Sequence, residues 1–165
     1  MFRRVARLAP ALALLLTCSF VPPALAKEGW FGADRPGVRA LFYGEMPPAG
    51  EPPNPETIQL LLRCADKRKA IVLFVAETSA KLKPGKRVRV VLSVGRVRSA
   101  TMGRTKANQL AGVASLRANF SLRARVFAAM TEPRALRISA GGWQSTTPLK
   151  GLGGRMKRLL AGCRK

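Results

Sequence analysis

The 165-residue chain contains no histidine. It therefore has neither the most common general base of enzyme active sites nor a Ser-His catalytic arrangement. A zinc site is excluded as well, because the other common zinc ligand is cysteine and the chain has only three. Its glycine-rich segments lack the spacing of a phosphate-binding loop or a dinucleotide-binding fingerprint. We therefore expect a protein that is not an enzyme and that uses no metal or cofactor.

Acidic residues are scarce and unevenly placed. The chain has 30 lysines and arginines against 8 aspartates and glutamates, for a net charge of +22. Residues 27–77 carry seven bases and seven acids, whereas residues 78–165 carry 20 bases and a single acid, Glu132. An excess of one sign attracts anions and opposes compaction through self-repulsion, so it predicts an anionic partner. Generic solvation of an arginine-rich composition is the alternative explanation.

The first 26 residues are typical of an export signal. Three arginines precede an apolar stretch, residues 8–20, and an Ala-Leu-Ala cleavage motif ends at Ala26. The apolar stretch is short and interrupted by proline, so it does not suit a membrane span. Twin-arginine export and a lipid anchor at Cys18 match the sequence less well. We expect cleavage after Ala26, a periplasmic or secreted protein, and a net charge of +19 once the three arginines are removed.

Cleavage would also remove Cys18 and leave two cysteines, Cys64 and Cys163. In an oxidising compartment an even pair of cysteines predicts a disulfide, and two separate buried thiols are the alternative. The bond would close a loop of nearly one hundred residues, which corresponds to about 4–5 kcal/mol of loop-closure entropy.

Alternation of apolar and polar residues predicts a β-rich fold. The predicted strands are 38–43, 57–64, 70–77, 88–94, 96–98, 116–120, 135–140 and 143–147. A polar turn at residues 65–69 makes a hairpin of the second and third strands, and Gly141-Gly142 joins the last two. Apart from its short strand, the stretch 102–121 gives no clear pattern.

Two helices are predicted in the second half of the chain. Residues 121–130 suit either a helix or a strand, because Leu122, Val126 and Met130 share a helical face while alternate residues also suit a strand. Ser121 as N-cap and Glu132-Pro133 as a stop favour the short helix. Residues 149–163 form an amphipathic helix with one apolar stripe. The residues of that stripe are Leu152, Met156, Leu159, Leu160 and Cys163. The stripe faces the core if Cys163 bonds to Cys64, and a membrane-surface helix is the alternative.

These elements predict a small α+β domain, an antiparallel β-sandwich-like fold whose C-terminal helix is tied by a disulfide. The predicted organisation is a signal peptide at 1–26, a lead-in with a proline-rich loop at 27–56, and a single basic β-rich domain at 57–165. The loop, residues 46–56, holds five prolines and is expected to be exposed.

The candidate binding residues are the arginines that alternate with apolar residues in the predicted strands, together with the basic side of the last helix. They are Arg87, Arg89, Arg96 and Arg98 on the solvent side of the sheet, and Arg155, Lys157 and Arg158 on the helix. Arginine binds phosphates and carboxylates through two parallel hydrogen bonds. The expected partner is an anionic envelope component such as lipid A, an anionic lipid or an acidic polysaccharide. Nucleic acid is disfavoured, because the aromatic residues are not interleaved with the basic ones.

Two further functions remain open at this point. One is a protein–protein accessory subunit of an envelope or secretion machine, and the other is an inhibitor of an acidic partner protein. The sequence leaves the oligomeric state undefined.

The layout resembles small exported, Cys-stapled proteobacterial proteins of the invasion-associated locus B and VasI type. The matching features are a strand ending in cysteine (Ile58 to Cys64), a later Leu-x-Ile strand (Leu136 to Ile138), and a Gly-Leu pair that opens a helix ending at Cys163. The resemblance covers about half of residues 27–165. It implies a periplasmic, non-catalytic accessory or host-interaction role and brings no site residues with it.

Overall fold

A computed structural model describes residues 27–32, 39–65, 69–109 and 111–164. The predicted signal peptide and its cleavage point therefore lie outside the described residues. The strands are β1 (Glu28–Gly32), β2 (Ala40–Glu45), β3 (Ile58–Cys64), β4 (Ala70–Val75), β5 (Arg87–Val94), β6 (Val97–Asn108), β7 (Val113–Ser121), β8 (Ala135–Ala140) and β9 (Trp143–Pro148). The helices are α1 (Arg125–Ala129) and α2 (Gly153–Gly162), and a 3-10 turn spans Pro55–Thr57.

All nine strands belong to one antiparallel sheet, in the order β1-β2-β3-β4-β7-β6-β5-β8-β9. The first four strands form a simple meander, because each pairs with the next one along the chain. The chain then crosses to β5, returns through β6 to β7 beside β4, and reaches β8 through α1. The half of the chain that is balanced in charge thus forms one side of the sheet, and the basic half forms the other.

The sheet curls into a half-barrel, and its two edge strands approach each other. Trp30 of β1 donates its indole Nε1–H to the carbonyl oxygen of Pro148 in β9 over 2.6 Å. Strand twist accumulates over nine strands and brings the two ends of the sheet together. The predicted β-rich fold with a C-terminal helix is confirmed. The strands form one curled sheet rather than a clear two-sheet sandwich.

The concave side of the half-barrel holds the core. Alternate residues of each strand point inward and are buried, as the sequence pattern predicts. They include Leu41, Leu62, Leu73, Val90, Leu92, Leu116, Leu136 and Ile138. The two helices contribute Val126, Phe127, Met156 and Leu159 to the same core.

The predicted disulfide is present. Cys64 at the end of β3 bonds to Cys163 at the end of α2, with a Cα–Cα distance of 5.3 Å. Leu152, Met156 and Leu159 of the predicted apolar stripe are buried, so α2 faces the core and does not present this stripe to a membrane surface. Among the described residues, no helix is long and apolar enough to cross a membrane.

The sheet begins before residue 57, at which the basic β-rich domain is predicted to start. Strands β1 and β2 lie within the predicted lead-in, yet they pair with each other and with β3. Trp30 explains why, because its side chain is only 2% exposed and bonds to the far edge of the sheet. The proline-rich loop remains a loop, and Asn54 caps its 3-10 turn by accepting a hydrogen bond from the Glu56 N–H.

Two predictions for residues 102–130 are corrected. The stretch without a clear pattern forms most of β6 and all of β7, two long paired strands. Ser121 is not a helix N-cap. It ends β7, its hydroxyl accepts a hydrogen bond from the Arg123 N–H (3.2 Å), and α1 begins after Ala124.

Candidate anion-binding face

The outer side of the basic half of the sheet is lined with cations. Val90 and Leu92 of β5 point into the core, so Arg87 and Arg89 point outward. Strand register extends this pattern to the neighbouring strands. Seven exposed residues define what we call the basic face: Arg87, Arg89, Arg98, Arg104, Lys106, Arg117 and Arg137.

Three of these arginines form a row across adjacent strands. Arg87 of β5 lies directly opposite Arg104 of β6, and Arg104 lies directly opposite Arg117 of β7. Directly opposed residues have Cβ atoms about 4.5–5.5 Å apart, and like charges at that spacing destabilise a sheet. Strands β5 to β8 contain no acidic residue. The repulsion along this row is therefore not relieved from within the face.

The acid nearest to the basic face in the sequence is already paired. Glu132 lies in the segment between α1 and β8 and forms a salt bridge with Arg134 at 2.9 Å. Both side chains are more than half exposed, so the pair is worth little to stability. The arginine row thus gains nothing from Glu132.

A second group of cations lies further along the same strands. Arg98 of β6 and Arg137 of β8 both lie opposite Ser93 of β5. The two arginines are two strands apart, or about 10 Å. They line a recess of about 430 Å³ together with the hydroxyl-bearing residues Ser93, Ser139 and Thr146. Guanidinium and hydroxyl groups around one recess suit phosphate, sulfate or carboxylate oxygens.

The two groups are well separated along the sheet. From Arg87 to Ser93 the strand advances by six residues, which corresponds to about 20 Å. A single small anion cannot contact both groups. A ligand with repeated negative charges can do so.

The structure brings together only part of the predicted site. Arg87, Arg89 and Arg98 belong to the basic face, whereas Arg96 occupies the two-residue turn between β5 and β6 and is exposed there. The three predicted helix residues, Arg155, Lys157 and Arg158, lie on α2. That helix contacts β2 and β3 in the other half of the sheet, so these residues belong to a different surface.

Four residues of the basic face were missed from the sequence: Arg104, Lys106, Arg117 and Arg137. Arg137 lies between two inward-pointing residues of a correctly predicted strand and was visible from the alternation. Arg104 and Lys106 alternate with Gly103 and Thr105, which are buried without being strongly apolar. The strand pattern was therefore hidden at that point.

Protein-family models, curated proteins and solved structures give no match to this chain. Among the described residues there is also no group of three or more acidic or cysteine side chains arranged to hold a metal ion.

Proposed function

We propose that the protein is an exported, non-catalytic binding protein that holds an extended polyanion of the cell envelope on its basic face. The observation that carries this proposal is the row of directly opposed arginines, Arg87, Arg104 and Arg117. Such a row raises the energy of the unliganded sheet, and a bound anion lowers it.

The spacing of the cations favours a polymer over a small anion. The arginine row and the Arg98–Arg137 recess are about 20 Å apart along the strands. A chain with repeated phosphates or carboxylates reaches both groups at once. The face is also the convex side of a half-barrel, so a flexible acidic polysaccharide can follow it, whereas a flat bilayer meets it along a narrow line.

The test compares three proteins on an acidic polysaccharide, with heparin as the probe. The wild type should be retained and should elute as salt rises, because ionic strength screens exposed charges. The variant R87E/R104E/R117E should lose most of its retention. The control K81E/K83E/K150E makes the same change in charge at exposed loop lysines and should remain close to the wild type.

Two outcomes contradict the proposal. Equal loss in both variants would mean that net charge alone causes retention. Salt-insensitive co-purification with a defined protein would favour the accessory-subunit alternative. In a parallel measurement, vesicles containing an anionic phospholipid replace heparin, and stronger binding to vesicles would identify lipid rather than polysaccharide as the partner.

A further inference from the structure

Four of the six acidic residues in the described part of the chain gather in one cleft. The cleft lies between the strands β1–β4 and the strands β8–β9, at the seam of the half-barrel, and has a volume of about 590 Å³. Four glutamates line it: Glu28, Glu45, Glu56 and Glu77. No lysine or arginine is among its described lining residues. None of the four makes an ion pair with a described residue, although the chain has 30 cationic side chains.

Strand register forces two of these carboxylates together. Glu28 of β1 lies directly opposite Glu45 of β2. Like charges in this position destabilise a sheet unless a cation lies between or beside them. Glu28 is also held in place, because Tyr43 Oη–H donates to one carboxylate oxygen (3.3 Å) and Gln59 Nε2–H donates to the other (2.7 Å). The cleft thus contains a preorganised negative charge.

The opposite wall of the cleft provides an observation that is independent of charge. Trp143, Ser145 and Thr147 alternate along the inner side of β9 and line the cleft. Thr147 is only 6% exposed, and its hydroxyl makes no hydrogen bond with any described residue. No fully buried side-chain oxygen or nitrogen among the described residues lacks a hydrogen-bond partner, so the small remaining exposure of Thr147 places its hydroxyl at the open space of the cleft. A ligand group in the cleft would provide a partner for it.

We propose that this cleft binds an extended organic cation that carries two or more ammonium groups, as a linear polyamine or the lysine side chains of a peptide do. An ammonium group has three donors, which match glutamate carboxylates and the Thr147 hydroxyl. Trp143 lines the cleft, and the face of an indole ring attracts cations. The volume lies in the range of small-molecule sites.

A metal ion fits the cleft less well than an organic cation. The four glutamates come from different strands and loops, and no three of the described acidic side chains are close enough to ligate one ion. Carboxylates that are spread along a cleft are matched by charges that are spread along a flexible chain. The inference does not depend on the proposed polyanion binding, since it concerns a separate surface of opposite charge.

The test is a calorimetric titration of the protein with spermine, and separately with trilysine, at neutral pH and physiological ionic strength. The cleft variant E45Q/E77Q removes two carboxylates that make no side-chain hydrogen bond with described residues. The matched control E51Q/E132Q removes two exposed acids outside the cleft. We expect about a tenfold loss of affinity in the cleft variant and little change in the control.

A spectroscopic measurement checks the position of the ligand. Binding should change the fluorescence of Trp143, so the variant W143F should lose most of the response while Trp30 remains as background. The basic-face variant R87E/R104E/R117E should keep its affinity for the cation. Failure of polyanion binding and failure of cation binding are therefore distinguishable.

Three results would overturn the inference. They are no binding of either cation, equal loss in the cleft and control variants, and displacement of spermine by magnesium at equal concentration. Tighter binding of spermine would identify a polyamine as the ligand, and tighter binding of trilysine would identify a basic peptide.

Discussion

The two halves of the sheet differ in charge. Residues 27–77, which form β1–β4, carry as many acids as bases, whereas residues 78–165, which form β5–β9, carry 20 bases and a single acid. The meander β1–β4 and its loops supply all four glutamates of the cleft, whereas β5–β8 supply the seven cations of the basic face. Strands that follow each other in the chain remain neighbours in most of the sheet, so a division of charge along the sequence becomes a division in space. The distribution of charge along the chain therefore indicates which surfaces are charged, even where it does not predict individual contacts.

Each half also contains like charges in direct opposition. Glu28 faces Glu45 in the first half, and Arg104 lies between Arg87 and Arg117 in the second. Ion pairs between the two groups do not relieve the repulsion within either group, because the groups occupy different surfaces. Both halves are thus arranged to gain stability from ions that come from outside the chain.

The largest expected effect tests whether the disulfide holds the two halves together. It joins β3 of the charge-balanced half to α2, which follows β9 of the basic half, across 99 positions. Replacing Cys64, Cys163 or both by serine should lower the free energy of unfolding by about 4–5 kcal/mol, because a long loop is no longer closed in the unfolded chain. Urea denaturation measures this loss. Reduction of the wild type is the control and should match it, whereas a loss below about 1 kcal/mol would contradict the prediction.

A smaller effect of opposite sign is expected at the centre of the arginine row. Arg104→Glu converts two repulsive cross-strand pairs into attractive ones, so it should raise the free energy of unfolding by about 1 kcal/mol. The same change should weaken heparin retention, because the cation at the centre of the row is lost. Lys81→Glu, at an exposed loop residue, should leave stability within about 0.5 kcal/mol of the wild type. A less stable R104E protein would show that the row is not repulsive.

The smallest effect is the titration of Tyr43 in the charge-balanced half. Burial raises the pKa of Tyr43 above its ordinary value of 10.0, and the charge and hydrogen bond of Glu28 raise it further. The neutral phenol is therefore favoured in the fold. Its contribution to stability is complete below pH 10 and is lost as pH rises through the raised pKa.

Glu28→Gln should lower the pKa of Tyr43, although not to its ordinary value, because burial remains. Tyr43 is the single tyrosine of the chain, so phenolate absorbance reports on it alone. Glu51→Gln serves as the control and should leave the titration unchanged. Equal pKa values in E28Q and the wild type would show that the Glu28 carboxylate does not act on Tyr43.

Sequence patterns predicted those parts of the fold in which side-chain alternation is strong. Strands β3, β4, β5, β8 and β9, helix α2 and the disulfide belong to this class. Strand β6 was predicted only at its start, because Gly103 and Thr105 occupy its inward positions and give no apolar signal. Strand β1 was missed because it depends on pairing with β2 and on the hydrogen bond from Trp30 to Pro148, 118 positions away, and neither is visible in its own five residues.

The two candidate sites also differ in how much of each can be predicted from the sequence. The outward position of Arg87 and Arg89 follows from local alternation, whereas their alignment with Arg104 and Arg117 depends on the order of strands in the sheet. The acidic cleft depends entirely on long-range pairing. Glu28 and Glu45 become neighbours through the register of β1 and β2, and the wall that faces them comes from β9.

The hydrogen bond from Trp30 to Pro148 constrains the order in which the chain can complete its fold. The half-barrel closes only when its first strand meets its last, and the disulfide needs a cysteine that lies still later in the sequence. A chain that emerges from its N-terminus therefore completes neither contact until β9 and α2 are available. Closure of the half-barrel and formation of the disulfide are thus the latest steps that the order of the described elements permits.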